Sequence, residues 1–161
     1  MSNTPNRASN PAGKPRKREV TLDLTTARKM LPLVQSIVAD IVSARRAINS
    51  LTPEQERLDR QRRDLAWQER QRRYQVGDEI TAAERAWAVA VGELNALGVT
   101  LVDDELGEVD FPTKVNGRAA AFSWQAGEAE LKHWHYADEE IRRPTPGDCD
   151  KAGAATPIRH R

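Results

Sequence analysis

The chain has 161 residues, a formal net charge of +1 at neutral pH and a single cysteine, Cys149, so it falls in the size range of one domain and can form no internal disulfide. Its most apolar stretch, around Ala86 to Val91, is far shorter than the roughly 20 residues a membrane-spanning helix needs. The first residues lack the apolar core of a signal peptide, so a cytoplasmic protein without membrane association is the expectation.

Residues 1–18 carry five basic residues and no acid, with almost no large apolar side chain, the composition of a disordered basic tail. Val20 to Leu24 alternates apolar and polar like a short strand, expected to join an edge of a sheet and to lead into a helix capped by Thr25 or Thr26. Ala27, Met30, Val34, Ile37, Ile41, Ala44, Ile48 and Leu51 then recur at alternating spacings of three and four, a heptad seam that predicts a helix over about 26–51. Leu31, Val38 and Val42 widen the apolar face beyond what a two-stranded coil uses, so this helix should pack against more than one neighbour. Pro32 should leave a kink near its start.

Thr52-Pro53-Glu54 has the form of a second helix start, predicting a helix over about 53–76. Its Arg-rich surface is also acidic, and intrahelical pairs are expected to satisfy many of the guanidiniums. Gly77 is a candidate break, and Ile80, Ala83, Trp87, Ala90, Leu94 and Leu97 restore a helical period over about 78–97, which Gly98 ends. From about 99 to 136 the period becomes two, with Val115-Asn116-Gly117-Arg118 as a hairpin turn. Residues 144–161 are rich in Pro, Gly and Ala and read as a second disordered tail. The expected class is α+β, mainly α: a long antiparallel helical hairpin or small bundle carrying a small C-terminal antiparallel sheet, within one domain of residues 19–143.

Charge is unevenly distributed. Residues 1–77 carry 16 basic and 8 acidic residues, whereas residues 78–110 carry 1 and 9. With the heptad seam, this polarity motivates a homodimer formed through the helices.

Five of the eight aromatic residues lie between Phe111 and Tyr136, beside His133 and His135. Strand alternation would place both imidazoles on one face and Trp134 and Tyr136 on the other. His-x-His can ligate one metal ion, with Asp110, Glu128 or Asp138 supplying a carboxylate, so the alternative reading is a metal-binding protein or metal-dependent enzyme with a divalent metal as cofactor. No nucleophile motif surrounds Ser123, no Gly-rich phosphate loop is present, and Asp103-Asp104-Glu105 reads as a solvated turn. Nucleic acid is not the expected partner, although the Arg-rich helix and the Lys14 to Arg18 tail form a weak-binder alternative.

The motifs Leu24-Thr25-Thr26-Ala27, Leu97-Gly98-Val99, Gly107 to Pro112, Trp124 to Glu128, Trp134-His135 and Arg142-Arg143-Pro144 together resemble the uncharacterised bacterial family called domain of unknown function 2203, over roughly residues 22–146. The resemblance implies two long helical segments followed by a short β region, and no activity, cofactor or substrate. Asp110, Trp124, Glu128, His135 and Arg142 match the family pattern and are the candidate residues for binding a protein or small-molecule partner. Many members carry cysteine immediately before the signature tryptophan, where this chain has Ser123, which argues against a thiolate role there. His133 lies outside the pattern. The expected function is a non-catalytic, self-associating binding module with a polar-aromatic site on the sheet and no cofactor.

Overall fold

The computed structural model describes residues 20–145. The expected basic tail, Cys149 and all of the second tail beyond Thr145 lie outside the described residues. Two helices, α1 (Leu24–Arg60) and α2 (Trp67–Ala96), precede five strands: β1 (Thr100–Asp103), β2 (Glu108–Val115), β3 (Arg118–Gln125), β4 (His133–Tyr136) and β5 (Arg143–Pro144). The strands pair in chain order, antiparallel throughout, as a meander. The mainly helical α+β class, a helical hairpin with a small C-terminal sheet, is therefore the observed one.

The cap of α1 is Asp23, not Thr25 or Thr26: its Oδ1 accepts the Thr26 N–H at 2.6 Å. A carboxylate there meets both an orphan donor and the positive end of the helix dipole. The wide apolar face is covered on two sides. Ala27, Leu31, Val34, Ile37, Val38, Ile41 and Val42 share one core with Ala90 and Leu94 of α2, Val99, Val109 and Phe111 of β2, Trp124 of β3, and Leu131. Most of the heptad seam is thus buried inside its own chain.

The expected helix start at Thr52-Pro53 is not one, because α1 runs through it for 37 residues. The Thr52 hydroxyl donates back to the Ile48 carbonyl at 2.6 Å, as a mid-helix threonine does. The missing N–H of Pro53 is outweighed by packing further along, where Leu58 is fully buried with Leu65, Val76 and Ile80 in a second cluster. The chain reverses instead at residues 61–66. Gly77 does not break α2 either, and nothing lies close to its missing side chain. Among the described residues there are two helices, and the break left open at Gly77 is not made. Their charges pair across the hairpin more than along one helix: Arg72 grips Glu54 with two bonds of 2.7 and 2.9 Å, and Arg73 bonds Asp59 at 2.6 Å. Gly98, at φ +80°, ends α2 as expected, with Val99 N–H returning to the Leu94 carbonyl.

β2 runs through Pro112. The Pro112 carbonyl accepts the Leu22 N–H at 2.7 Å on the outer edge. Because N and C=O of a strand residue point the same way, the missing donor lies on that edge and costs no inner ladder bond. That single bond is what remains of the strand expected at residues 20–24. The two-residue hairpin at Asn116-Gly117, with φ values of 51° and 75°, has the form of a type I′ turn. No helix among the described residues is long and apolar enough to cross a membrane.

Candidate functional site

Cross-strand partners share a face, so the register builds two polar rows on the sheet. Asp110, Ser123, His133 and Pro144 form one; Pro112, Ala121 and His135 form the next. The opposite face carries Val109 and Trp124, then Phe111, Phe122 and Trp134, and it turns its buried members toward α1.

His135 is the best-defined member of the polar face. Its Nε2 lies 3.0 and 3.1 Å from the two Asp110 carboxylate oxygens, and its Nδ1 lies 2.8 Å from the Tyr136 carbonyl. Both neighbours are acceptors, so both ring nitrogens must donate, and only the imidazolium can do that. Burial on its own would lower the His135 pKa. The hydrogen bond to Asp110, then the Tyr136 carbonyl, the Asp110 charge and a backbone bond at Glu139 outweigh it, and the pKa lies above the ordinary 6.5. At pH values below that raised pKa the ring carries both protons, and in that state it offers no lone pair to a metal and cannot serve as a general base.

This pair should leave a pH signature. A folded-state pKa above the unfolded value contributes stability that is complete below the unfolded pKa and is lost as pH rises through the folded one. Urea unfolding of the native chain at about pH 6 and about pH 9 should therefore show a decline that is reduced in His135→Gln. An NMR titration should give His135 a pKa above 6.5, falling in Asp110→Asn. A value at or below 6.5 in the native chain would contradict the pairing.

A second ion pair lies beside the first. Arg142 bonds Glu108, two residues before Asp110 on the same face of β2, and its other nitrogen lies 4.0 Å from Glu128. The Arg142 to Glu128 approach is therefore the longer contact, and Glu108, which sequence reasoning passed over, is the closer partner. The Glu128 carbonyl accepts the Trp124 indole N–H at 3.0 Å. Trp124 is only 2 % exposed, so it belongs to the core and lines no surface site. Asp138 is removed from the group altogether and pairs with Arg118 at 3.1 Å. Among the described residues no three His, Cys, Asp or Glu side chains converge as a metal set, so His133, His135, Asp110, Glu128 and Asp138 do not assemble the ligand group expected of them.

The strand aromatics are engaged too. The Trp134 and Tyr136 rings meet edge to face at 5.1 Å, with Arg118 3.9 Å over Tyr136 and Arg143 5.2 Å over Trp134. These contacts stiffen the outer strands by cation–π attraction. A further junction was hidden in the turn that reads as solvated acids. Asp104 accepts from Arg45 of α1 at 2.7 Å and from the Trp87 indole of α2 at 3.1 Å, tying both helices to the β1–β2 turn. Only the helical positions of Arg45 and Trp87, one an intrusion beside the apolar seam and the other within it, hinted at this.

A groove of about 730 Å³ lies between the first turns of α1 and the arm leading into β4. Arg28, Leu31, Pro32 and Gln35 form one wall; Ala129 to His133, with Pro144 and Thr145, form the other. Of the candidate residues only His133 reaches it. The His133 Nδ1 is buried without a hydrogen-bond partner among the described residues, and so is Oγ of Ser123, its direct cross-strand neighbour.

The architecture and the paired polar face are those of a helical hairpin with a C-terminal meander, and a family model matches residues 21–144. The chain belongs to the family described as uncharacterized conserved protein DUF2203. No curated protein and no solved structure matches it.

Proposed function

We propose that this protein is a non-catalytic binding protein that takes a small anionic ligand, a phosphate or carboxylate compound, in the groove between the start of α1 and the arm before β4. The observation that carries this reading is the groove itself, one wall of which is formed in part by His133, whose Nδ1 has no hydrogen-bond partner among the described residues. A buried polar atom without a partner costs about 1–3 kcal/mol, which a ligand's polar group would recover. Lys132 brings positive charge to the lining, with Glu130 3.6 Å from it. Leu31, Pro32 and Leu131 supply an apolar floor, so the site has the mixture that small-molecule sites favour. The non-catalytic reading is supported by the state of the other ionisable groups, since His135 and Arg142 are already held by carboxylates.

Thermal and chemical unfolding with inorganic phosphate, succinate and citrate tests the groove. A ligand at about 100 times its Kd should add about 2.7 kcal/mol, and His133→Ala and Lys132→Ala should each weaken the response at least severalfold. No saturable stabilisation by any of these anions, or an equal response in His133→Ala, would remove the proposal.

A further inference from the structure

The far end of the hairpin carries large side chains that the fold does not use. Trp67, the first residue of α2, is 68 % exposed, and Tyr74 is 70 % exposed. They are seven residues apart, two helical turns, which places both rings on one face with about 10 Å of helix axis between them. Arg70 and Gln71 lie between them on that face, and Gln68 and Gln75 adjoin. The core beneath this end is built from Leu58, Leu65, Val76 and Ile80 and includes neither ring.

Charge at this end is one-sided. Residues 57–74 contain seven arginines and three acids. Two of those acids, Asp59 and Glu69, are taken by Arg73 and Arg57, and Glu54 from the preceding turn is taken by Arg72. Arg60, Arg62 and Arg63 are exposed at the corner and form no ion pair among the described residues. The acids of this segment, which in sequence argue against an anionic partner, are thus largely engaged across the hairpin. Glu56 and Asp64 enter none of these pairs, and Asp59 stays exposed while paired.

We infer that the hairpin tip is a docking surface for single-stranded nucleic acid, in which Trp67 and Tyr74 stack on bases and Arg60, Arg62, Arg63 and Arg70 meet phosphates. The charge selects a polyanion. The aromatic arrangement selects unpaired bases: two separate rings with arginine and glutamine between them are stacking platforms, not the continuous apolar patch that a protein partner would cover. A duplex hides its base faces and would leave both rings idle. This surface is at the opposite end of the hairpin from the anion groove and does not depend on it.

The test is fluorescence anisotropy of the full chain with a labelled single-stranded RNA of about 12 nucleotides, within the range such sites occupy, repeated across a salt series. Binding should weaken as salt rises, and Trp67→Ala and Tyr74→Ala should each lower affinity about tenfold while leaving the far-ultraviolet circular dichroism and the melting temperature unchanged. The triple change Arg60→Gln, Arg62→Gln, Arg63→Gln should flatten the salt dependence, as lost phosphate contacts do. Absence of binding at low salt overturns the inference. Affinity unchanged in the aromatic variants overturns it as well, because binding would then rest on charge alone, the basic N-terminal segment included. Equal affinity for the matching duplex, or displacement by polyglutamate with the same dependence on Trp67, would assign the surface to a generic polyanion or an acidic protein and also overturn it.

Discussion

Replacing Phe111 by Ala should lower the unfolding free energy by about 3–5 kcal/mol, the usual cost of emptying a fully buried aromatic site. Phe111 is 0 % exposed at the middle of β2 and shares its core with the α1 stripe. It is also the largest fully buried side chain of the protein's described part. A five-stranded sheet whose outer strands are only four and two residues long cannot stand without a surface to pack on. Val109, Phe111 and Trp124 are the strand residues that supply that contact from β2 and β3. The loss should therefore appear as one cooperative transition at lower urea, with near-ultraviolet dichroism of the tryptophans lost in step with the far-ultraviolet helical signal. Ile141→Ala, at a side chain 66 % exposed, should change stability by less than about 0.5 kcal/mol. A Phe111→Ala loss below about 1.5 kcal/mol would mean that the sheet is held to the helices elsewhere.

The parts of this fold legible in the sequence are those where local and tertiary preferences agree. The Ala27 to Leu51 seam, the stop at Gly98 and the Asn116-Gly117 hairpin each specify a conformation through residues near one another in the chain, and all three stand in the structure. The errors come where distant packing overrules a local signal. Thr52-Pro53-Glu54 is a sound start signal, yet Leu58 can reach Leu65 and Val76 only if α1 continues through it. Pro112 is tolerated inside β2 because its missing donor falls on the side away from the β3 ladder. For the polar face of the sheet, Asp110 and His135 can be named from the sequence but their contact cannot. Asp110 and His135 lie on strands separated by β3, so only the register of two ladders brings them to 3.0 Å. Trp124 looked like a recognition residue because its type is common at interfaces, and the same size and hydrophobicity put it in the core.

The charge polarity of the chain has an internal use by the same mechanism. The acidic stretch over residues 78–110 contains Asp104, Glu105, Glu108 and Asp110, and each meets a partner from elsewhere in the fold: Arg45, Asn49, Arg142 and His135. These side chains are partly buried in most cases, with Arg45 27 % and Asp104 24 % exposed, so the contacts are worth more than the near-zero typical of surface pairs. They also fix orientation. Asp104 binds α1 and α2 at once, and Glu108 and Asp110 draw the last strands onto β2, which sets the order of the sheet's polar face while the opposite face supplies the hydrophobic attachment.

Gly107→Ala should destabilise the protein by about 2–4 kcal/mol, more than an exposed glycine in the same backbone conformation would show. Gly107 sits in the β1–β2 turn at φ +70°, where a side chain costs about 1–2 kcal/mol by itself. It also lies close against α1. An added Cβ would lie 2.7 Å from the Ala126 Cβ, 2.9 Å from Val38 Cγ1 and 3.0 Å from Val42 Cγ2. Two of these atoms belong to stiff β-branched side chains on a long helix and the third to a short side chain close to its backbone, so none can swing aside as the end of a flexible chain would. The Ala126 N–H also bonds the Gly107 carbonyl at 3.0 Å, so relief by moving the turn would break that link. Gly117→Ala separates the two contributions, because Gly117 has φ +75° but nothing within 4 Å of the added carbon. Its loss should be only the backbone part, about 1–2 kcal/mol, and the excess at Gly107 measures the packing. Adding Ala126→Gly to Gly107→Ala removes the shortest contact and should recover part of that excess in urea unfolding. Equal losses at the two glycines, with no recovery in the double variant, would show that α1 and the turn are not in the close contact described.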